Sequence, residues 1–160
     1  MPARHLAAHL NDHLAVVTGT EQLAARMAAQ YGDDDLGRLA AGLRPRLREQ
    51  AAEIERVLRD RGLRPDRAKQ GGAWLAEKAG RLKPNGSLRG RSPVTPLVEV
   101  EGLLLGLEAL ALLWRNLGEA AGALGLDGNA LAAALARVEA DRAAVEARRP
   151  AVARAALTAE

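Results

Sequence analysis

The chain predicts an all-α fold, an antiparallel bundle of four long helices in a single domain spanning residues 1–160. Three observations carry this reading. Apolar residues make up 48% of the chain, yet there is no Phe, one Tyr and two Trp, so the core must be built from Leu, Ala and Val. Leu and Ala favour helices, and small Ala side chains let helix axes approach closely, whereas the aromatic and β-branched residues that strands prefer are scarce. The apolar residues also recur at helical spacing in long segments separated by Gly, Pro and Asp. A chain of 160 residues is long enough to bury a core of its own.

The first segment, Ala3 to Tyr31, carries Leu6, Leu10, Leu14, Val17, Ala24 and Ala28 on one stripe. Gly32 and Asp33-Asp34-Asp35 stop it and offer N-caps to a second helix, from Leu36 to Arg61. The stripe of this second helix is Leu36, Leu39, Leu43, Leu47, Ile54, Val57 and Leu58, with Gln50 also pointing inward. Pro45 predicts a kink or a start nearer that residue, and Gly62 ends the helix.

Pro65 and Asp66 open a shorter helix to Leu82, weakened by Gly71-Gly72. The stretch from Lys83 to Pro93 has the Pro, Gly, Asn and Ser content of a loop. Thr95 and Pro96 are a cap and first-turn signal for a helix to Leu117, apolar nearly all round and so expected to be the most buried element. Gly118 to Leu126 is a small-residue connection. Asp127 caps a last helix from Gly128 to Arg149, with Ala151 to Leu157 as a continuation past Pro150. The order is two helices, a long crossover containing an extra short helix, then two helices.

The absence of cysteine excludes disulfides, thiolate metal sites and thiol catalysis, and fits a cytoplasmic location. The N-terminus runs straight into an amphipathic pattern without the apolar core of a signal peptide. The longest apolar run, Gly102 to Trp114, is broken by Glu108 and too short to span a bilayer. A formal charge of +3, carried mostly by Arg as in GC-rich genomes, gives little reason to expect a nucleic-acid partner.

The residues that stand out chemically are Glu108, set among Leu103, Leu104, Leu105, Leu107, Leu110, Leu112 and Leu113; Glu101, two turns earlier on the same face; Glu21, beside the stripe of the first helix; and Arg142, on the stripe of the last helix with Leu135, Val138 and Val145. A carboxylate among leucines must be paired, metal-bound or protonated, because burying it alone costs several kcal/mol. One reading is an internal ion-pair network in which Arg142, with Arg115 or Lys78, neutralises Glu21 and Glu108. Arg suits that role because it stays charged and bonds carboxylates through two donors. The other is a carboxylate metal site between helices, suited to Fe, Mn or Mg.

The helix order, the crossover and the inward Glu21 and Glu108 make the chain similar to the ferritin-like superfamily, whose halves each supply a lone Glu and a Glu-x-x-His. The nearest counterparts here are Glu53-Ile-Glu-Arg56 and Glu139-Ala-Asp-Arg142, with Arg at both His positions, and no histidine follows residue 13. The resemblance therefore implies a divergent bacterial-type bundle of ferritin-like topology without dinuclear iron ligands, in which Arg supplies the positive charge. A Leu-Ala bundle with an electrostatic centre, no complete ligand set and no nucleophile constellation predicts a non-catalytic structural or partner-binding protein, holding no cofactor, with a second copy or another protein as partner. The alternative is an oxidase or storage protein binding Fe or Mn through Glu21, Glu101 and Glu108.

Two further groups carry possible chemistry. His5, His9 and His13 repeat every four residues on one helix side, a spacing that chelates Zn, Ni or Cu, with Asp12 as a possible oxygen donor; the plainer reading is a polar flank with His13 half buried and hydrogen-bonded. Lys78, Arg81, Lys83, Arg89 and Arg91, with no acid between Lys78 and Arg91, form a basic crossover. Lys83, Arg89 and Arg91 are candidate contacts for phosphate or anionic lipid, although the segment lacks aromatics for base stacking and any P-loop pattern. Trp74 and Trp114 read as core fillers.

Overall fold

A computed structural model of the chain describes residues 2–66 and 92–159. These residues form helices and connections and no strand: α1 (Pro2–Tyr31), α2 (Asp35–Asp60), α3 (Thr95–Glu119), α4 (Ala121–Leu124), α5 (Gly128–Glu146) and α6 (Arg149–Leu157). The predicted short helix to Leu82, with Trp74, and the cations Lys78, Arg81, Lys83, Arg89 and Arg91 lie outside the described residues. Leu63 to Asp66 carry no regular secondary structure.

The helix boundaries follow from local chemistry. Asp34 caps α2 by accepting a hydrogen bond from the Gly37 amide at 2.8 Å, which satisfies one of the orphan donors of the first turn. With that cap in place, and Leu36, Ala40 and Leu43 packed inward, α2 begins at Asp35 and continues through Pro45, so a start nearer the proline is excluded. Thr95 is not a cap: α3 starts one residue after Val94 without a side-chain capping bond, and Pro96 sits in its first turn, where no amide donor is needed. The connection after α3 coils into the single turn α4, closed by Gly125 at φ 58°. Asp127 caps α5 through the amides of Asn129 and Ala130. The last helix is interrupted at Ala147–Arg148, and α6 restarts with Pro150 in its first turn.

One cluster of buried side chains joins the long helices. It runs through Leu10, Leu14, Val17 and Met27 of α1, Leu43, Leu47, Ile54 and Leu58 of α2, Leu103, Leu107, Leu110 and Trp114 of α3, and Val138 and Val145 of α5. α3 is the helix most engaged in it, with ten of its 25 residues buried. Named contacts give the chain directions. Gly106 lies against Thr20 and Gly102 against Leu23, while Tyr31 donates to Glu99 at 2.6 Å, so α1 and α3 run antiparallel. Arg46 reaches Asp141 and Arg148 reaches Asp35, so α2 and α5 also oppose each other. Among the described residues no helix is long and apolar enough to cross a membrane.

Two buried polar contacts tie elements together. Trp114 Nε1 donates to Gln50 Oε1 at 2.6 Å in the core, fixing α3 to α2. Asn11, buried on α1, donates to the Ala7 and Arg64 carbonyls and accepts from the Asp66 amide at 2.6 Å, so it holds the chain where it leaves α2.

Candidate functional site

The outer side of α3 and the adjoining side of α5 frame a groove of roughly 780 Å³, lined by Glu101, Leu104, Leu105, Glu108, Glu139, Arg142, Ala143 and Glu146. Its position is set by how α3 is turned. Gly102 and Gly106, one turn apart, face α1, and a Cβ at residue 106 would stand only 2.0 Å from Thr20 Oγ1. That close approach puts the glycines inward and leaves Glu101, Leu105, Glu108 and Leu112 on the other side of the helix. Leu105 and Leu112 are 63% and 46% exposed.

Four charges close a ring between α3 and α5 at the groove. Arg115 bonds Glu108 Oε1 at 3.3 Å and also Glu139. Arg142 stands 3.2 Å from Glu108 Oε2 and 2.9 Å from Glu139 Oε2. Each carboxylate thus meets two guanidinium groups, and the ring is formally neutral. The hydrogen bond from Arg142, followed by that from Arg115, holds the Glu139 carboxyl below its usual range. The Glu139 hydrogen bond and charge, with the Glu108 charge, raise Arg142. Glu108 Oε2 and Arg142 Nε are themselves shielded from solvent without hydrogen-bond partners among the described residues, so their mutual attraction is charge without aligned donors. Below the ring, Arg149 bonds Glu146 through two nitrogens at 2.7 and 2.8 Å and lowers its pKa.

This arrangement corrects three expectations. First, Glu108 is not enclosed by its leucines: its side chain is 39% exposed at the groove, because the leucines beside it in sequence point to several sides of α3. Second, Glu21 does not join Glu108 and Arg142. It is held by Arg44 at 3.0 Å and Arg48 at 2.9 Å, which stand one turn apart on α2, so it forms a separate cluster between α1 and α2. Third, Arg142 is not on the inward stripe. The buried stripe of α5 is Leu131, Ala134, Val138, Asp141 and Val145, and Arg142 stands one residue round the helix, at the seam with α3. Glu101 lines the same groove as Glu108, as the shared helix face predicts.

Asp141 is the acid that the sequence reading missed. It is buried, burial raises its pKa, and Arg46 opposes that shift from α2. The signal was present, since Asp141 falls at alternating three- and four-residue spacing with Ala134, Val138 and Val145. The two Glu-x-x-Arg segments make ion pairs within their own helices, Glu53 with Arg56 and Glu139 with Arg142.

The histidines do not converge with the acids. His5 is exposed, and His9 and His13 are half buried, their rings meeting edge to face with centroids 4.6 Å apart. Burial, and then the neighbouring His9, push His13 down to about 4. Its Nδ1 has no hydrogen-bond partner among the described residues, contrary to the expected satisfied ring. Among the described residues no group of three or more His, Cys, Asp or Glu side chains is placed to hold a metal ion. The candidate anion contacts Lys83, Arg89 and Arg91 fall outside the described residues. No protein-family model, curated protein or solved structure matches the chain.

Proposed function

We propose that this chain is a non-catalytic helical bundle of ferritin-like helix order that acts in the cytoplasm as a structural or protein-binding module. The observation that carries this reading is the place of Arg142. Its guanidinium nitrogens stand 3.2 Å from Glu108 and 2.9 Å from Glu139, at the sequence position where the resemblance to ferritin-like proteins would put an imidazole ligand. A fixed cation between two carboxylates neutralises them and repels a metal ion from the same space. The antiparallel contacts of α1 with α3 and of α2 with α5 support the bundle order, with the crossover joining α2 to α3. The groove sets the apolar Leu104, Leu105 and Ala143 beside the paired charges of Glu108, Glu139 and Arg142, a mixed surface that supports a partner-binding role.

Metal analysis of protein purified without a His-tag tests this reading. The expected result is iron and manganese well below one equivalent per chain. Stoichiometric iron or manganese that disappears on Glu108→Gln would overturn it in favour of a carboxylate metal site.

A further inference from the structure

We infer that His9 and His13 form an open site for a divalent cation that favours imidazole (copper, nickel or zinc), with the two rings as its protein ligands and water completing the shell. The site is separate from the groove between α3 and α5 and goes beyond the function proposed above.

His9 and His13 stand one turn apart on α1, the spacing at which two histidines of one helix hold a single metal ion. Both are half buried, because this side of α1 turns toward α3: Thr20, two turns beyond His13, lies against Gly106. Their ring centres are 4.6 Å apart. With a metal–nitrogen bond of about 2.0–2.1 Å, a bound imidazole has its centre about 3.2 Å from the ion, so two rings on one ion have centres about 4.5–5.2 Å apart between square and tetrahedral angles. The observed separation falls in that range. The rings meet edge to face, at 72°, so their nitrogens do not yet converge. Turning a ring about its Cβ–Cγ bond, a broad torsion, redirects the nitrogens and hardly moves the centre. The backbone of α1 need not shift. His13 Nδ1 is shielded from solvent without a hydrogen-bond partner among the described residues. No bond on that nitrogen resists the turn, and a polar atom so placed costs stability until something bonds it. Asp12 is close enough for its charge to act on His13, which favours a cation there. Among the described residues no third His, Cys, Asp or Glu completes a larger ligand group. Two imidazoles favour copper, nickel and zinc over manganese or magnesium, and they leave positions open to water or an outside ligand.

The probe is zinc chloride, added to the full-length chain purified without a His-tag. The chain has three histidines, so their ring signals can be followed individually by NMR. Zinc should bind at one equivalent and shift the His9 and His13 signals together, leaving His5 unmoved. His9→Asn and His13→Asn should each weaken zinc binding about tenfold or more with helicity unchanged, and His5→Asn should bind as the parent does. If His13→Asn fails to fold, the ring signals of the parent and the His9→Asn titration still decide. A chain that takes up no zinc below millimolar concentration overturns the inference. So does zinc that shifts His5 as far as His13, or full affinity in His9→Asn. Iron and manganese content, measured separately, tests the metal-free groove, so either reading can fail while the other stands.

Discussion

Replacing Gly106 by Ala sets two known effects against each other. Ala is the better helix former by about 1 kcal/mol, so on propensity alone the variant should gain stability. The new Cβ would meet Thr20 Oγ1 at 2.0 Å, Cγ2 at 2.7 Å and Cβ at 2.9 Å. These atoms cannot swing aside, because Thr20 is β-branched, buried, and bonded through Oγ1 to the Val16 carbonyl at 2.9 Å. Relief therefore requires α1 and α3 to separate, and overpacking of this kind costs about 1–3 kcal/mol. With the propensity gain subtracted, Gly106→Ala should destabilise the fold by up to about 2 kcal/mol, read as a lowered urea midpoint at unchanged slope. Thr20→Ala removes Oγ1 and Cγ2 but leaves the Cβ contact, so Gly106→Ala should cost less in that background. Gly102→Ala is the control. Its new Cβ meets only Leu23 Cδ2 at 2.9 Å, the end of a flexible side chain, and the change should stay within about 0.5 kcal/mol. A Gly106→Ala variant more stable than its parent by the full propensity gain of about 1 kcal/mol, or an effect unaltered by Thr20→Ala, would refute the close-packed α1–α3 seam.

Other expectations follow from single contacts. Trp114→Phe keeps most of the buried ring but strands Gln50 Oε1 in the core, and should cost about 1–3 kcal/mol in denaturant unfolding; restoration by Gln50→Leu in the same chain would confirm the cause. Arg46→Ala leaves the buried Asp141 without its cation and should destabilise by about 1–2 kcal/mol. Arg48→Ala should change stability by less than about 0.5 kcal/mol, since Arg44 still holds Glu21 at 3.0 Å. His13 is pushed from 6.5 to about 4 in the folded chain. Between these values the unfolded chain binds the proton and the folded chain does not, so stability falls as pH drops from about 6.5 to about 4. Asp141, whose pKa is raised, acts in the opposite sense at the acid end. His13→Gln should flatten the loss across that window, and an unchanged pH profile of the urea midpoint would refute the assignment.

Much of the helical architecture was legible because helix signals are local. The Leu stripes, the caps Asp34 and Asp127 and the turn at Gly32 act over one or two turns, so a single pass along the chain finds them. Gln50 and Trp114 were also legible, since a polar residue on a Leu stripe and a large ring at helical spacing both belong inside. The site was harder because its members are chosen by the rotation of one helix against another. Glu108 looks enclosed when its neighbours are read in sequence, but the small residues Gly102 and Gly106 turn α3 so that this glutamate faces the groove. Arg142 and Asp141 differ by one position, and only the packing of α5 decides which of the two is buried. Glu21 lies beside the apolar stripe of its helix and so reads as a second inward carboxylate with Glu108, whereas the cations that hold it, Arg44 and Arg48, come from the helix paired with its own. Asn11 gave no warning, because the groups it bonds around Arg64 and Asp66 are far away in sequence.

The ring of Glu108, Arg115, Glu139 and Arg142 has a consequence in mass action. A metal ion between carboxylates is in exchange with its surroundings, so its occupancy falls with dilution, with chelators and with competition from other ions. A guanidinium carried on the chain has no free concentration to fall. Its partner carboxylates meet it at an effective concentration fixed by the fold, and that is unchanged whether the cell is rich or starved of metal. Groove and charge balance are thus inherited together at synthesis, and only loss of the helices themselves can separate them.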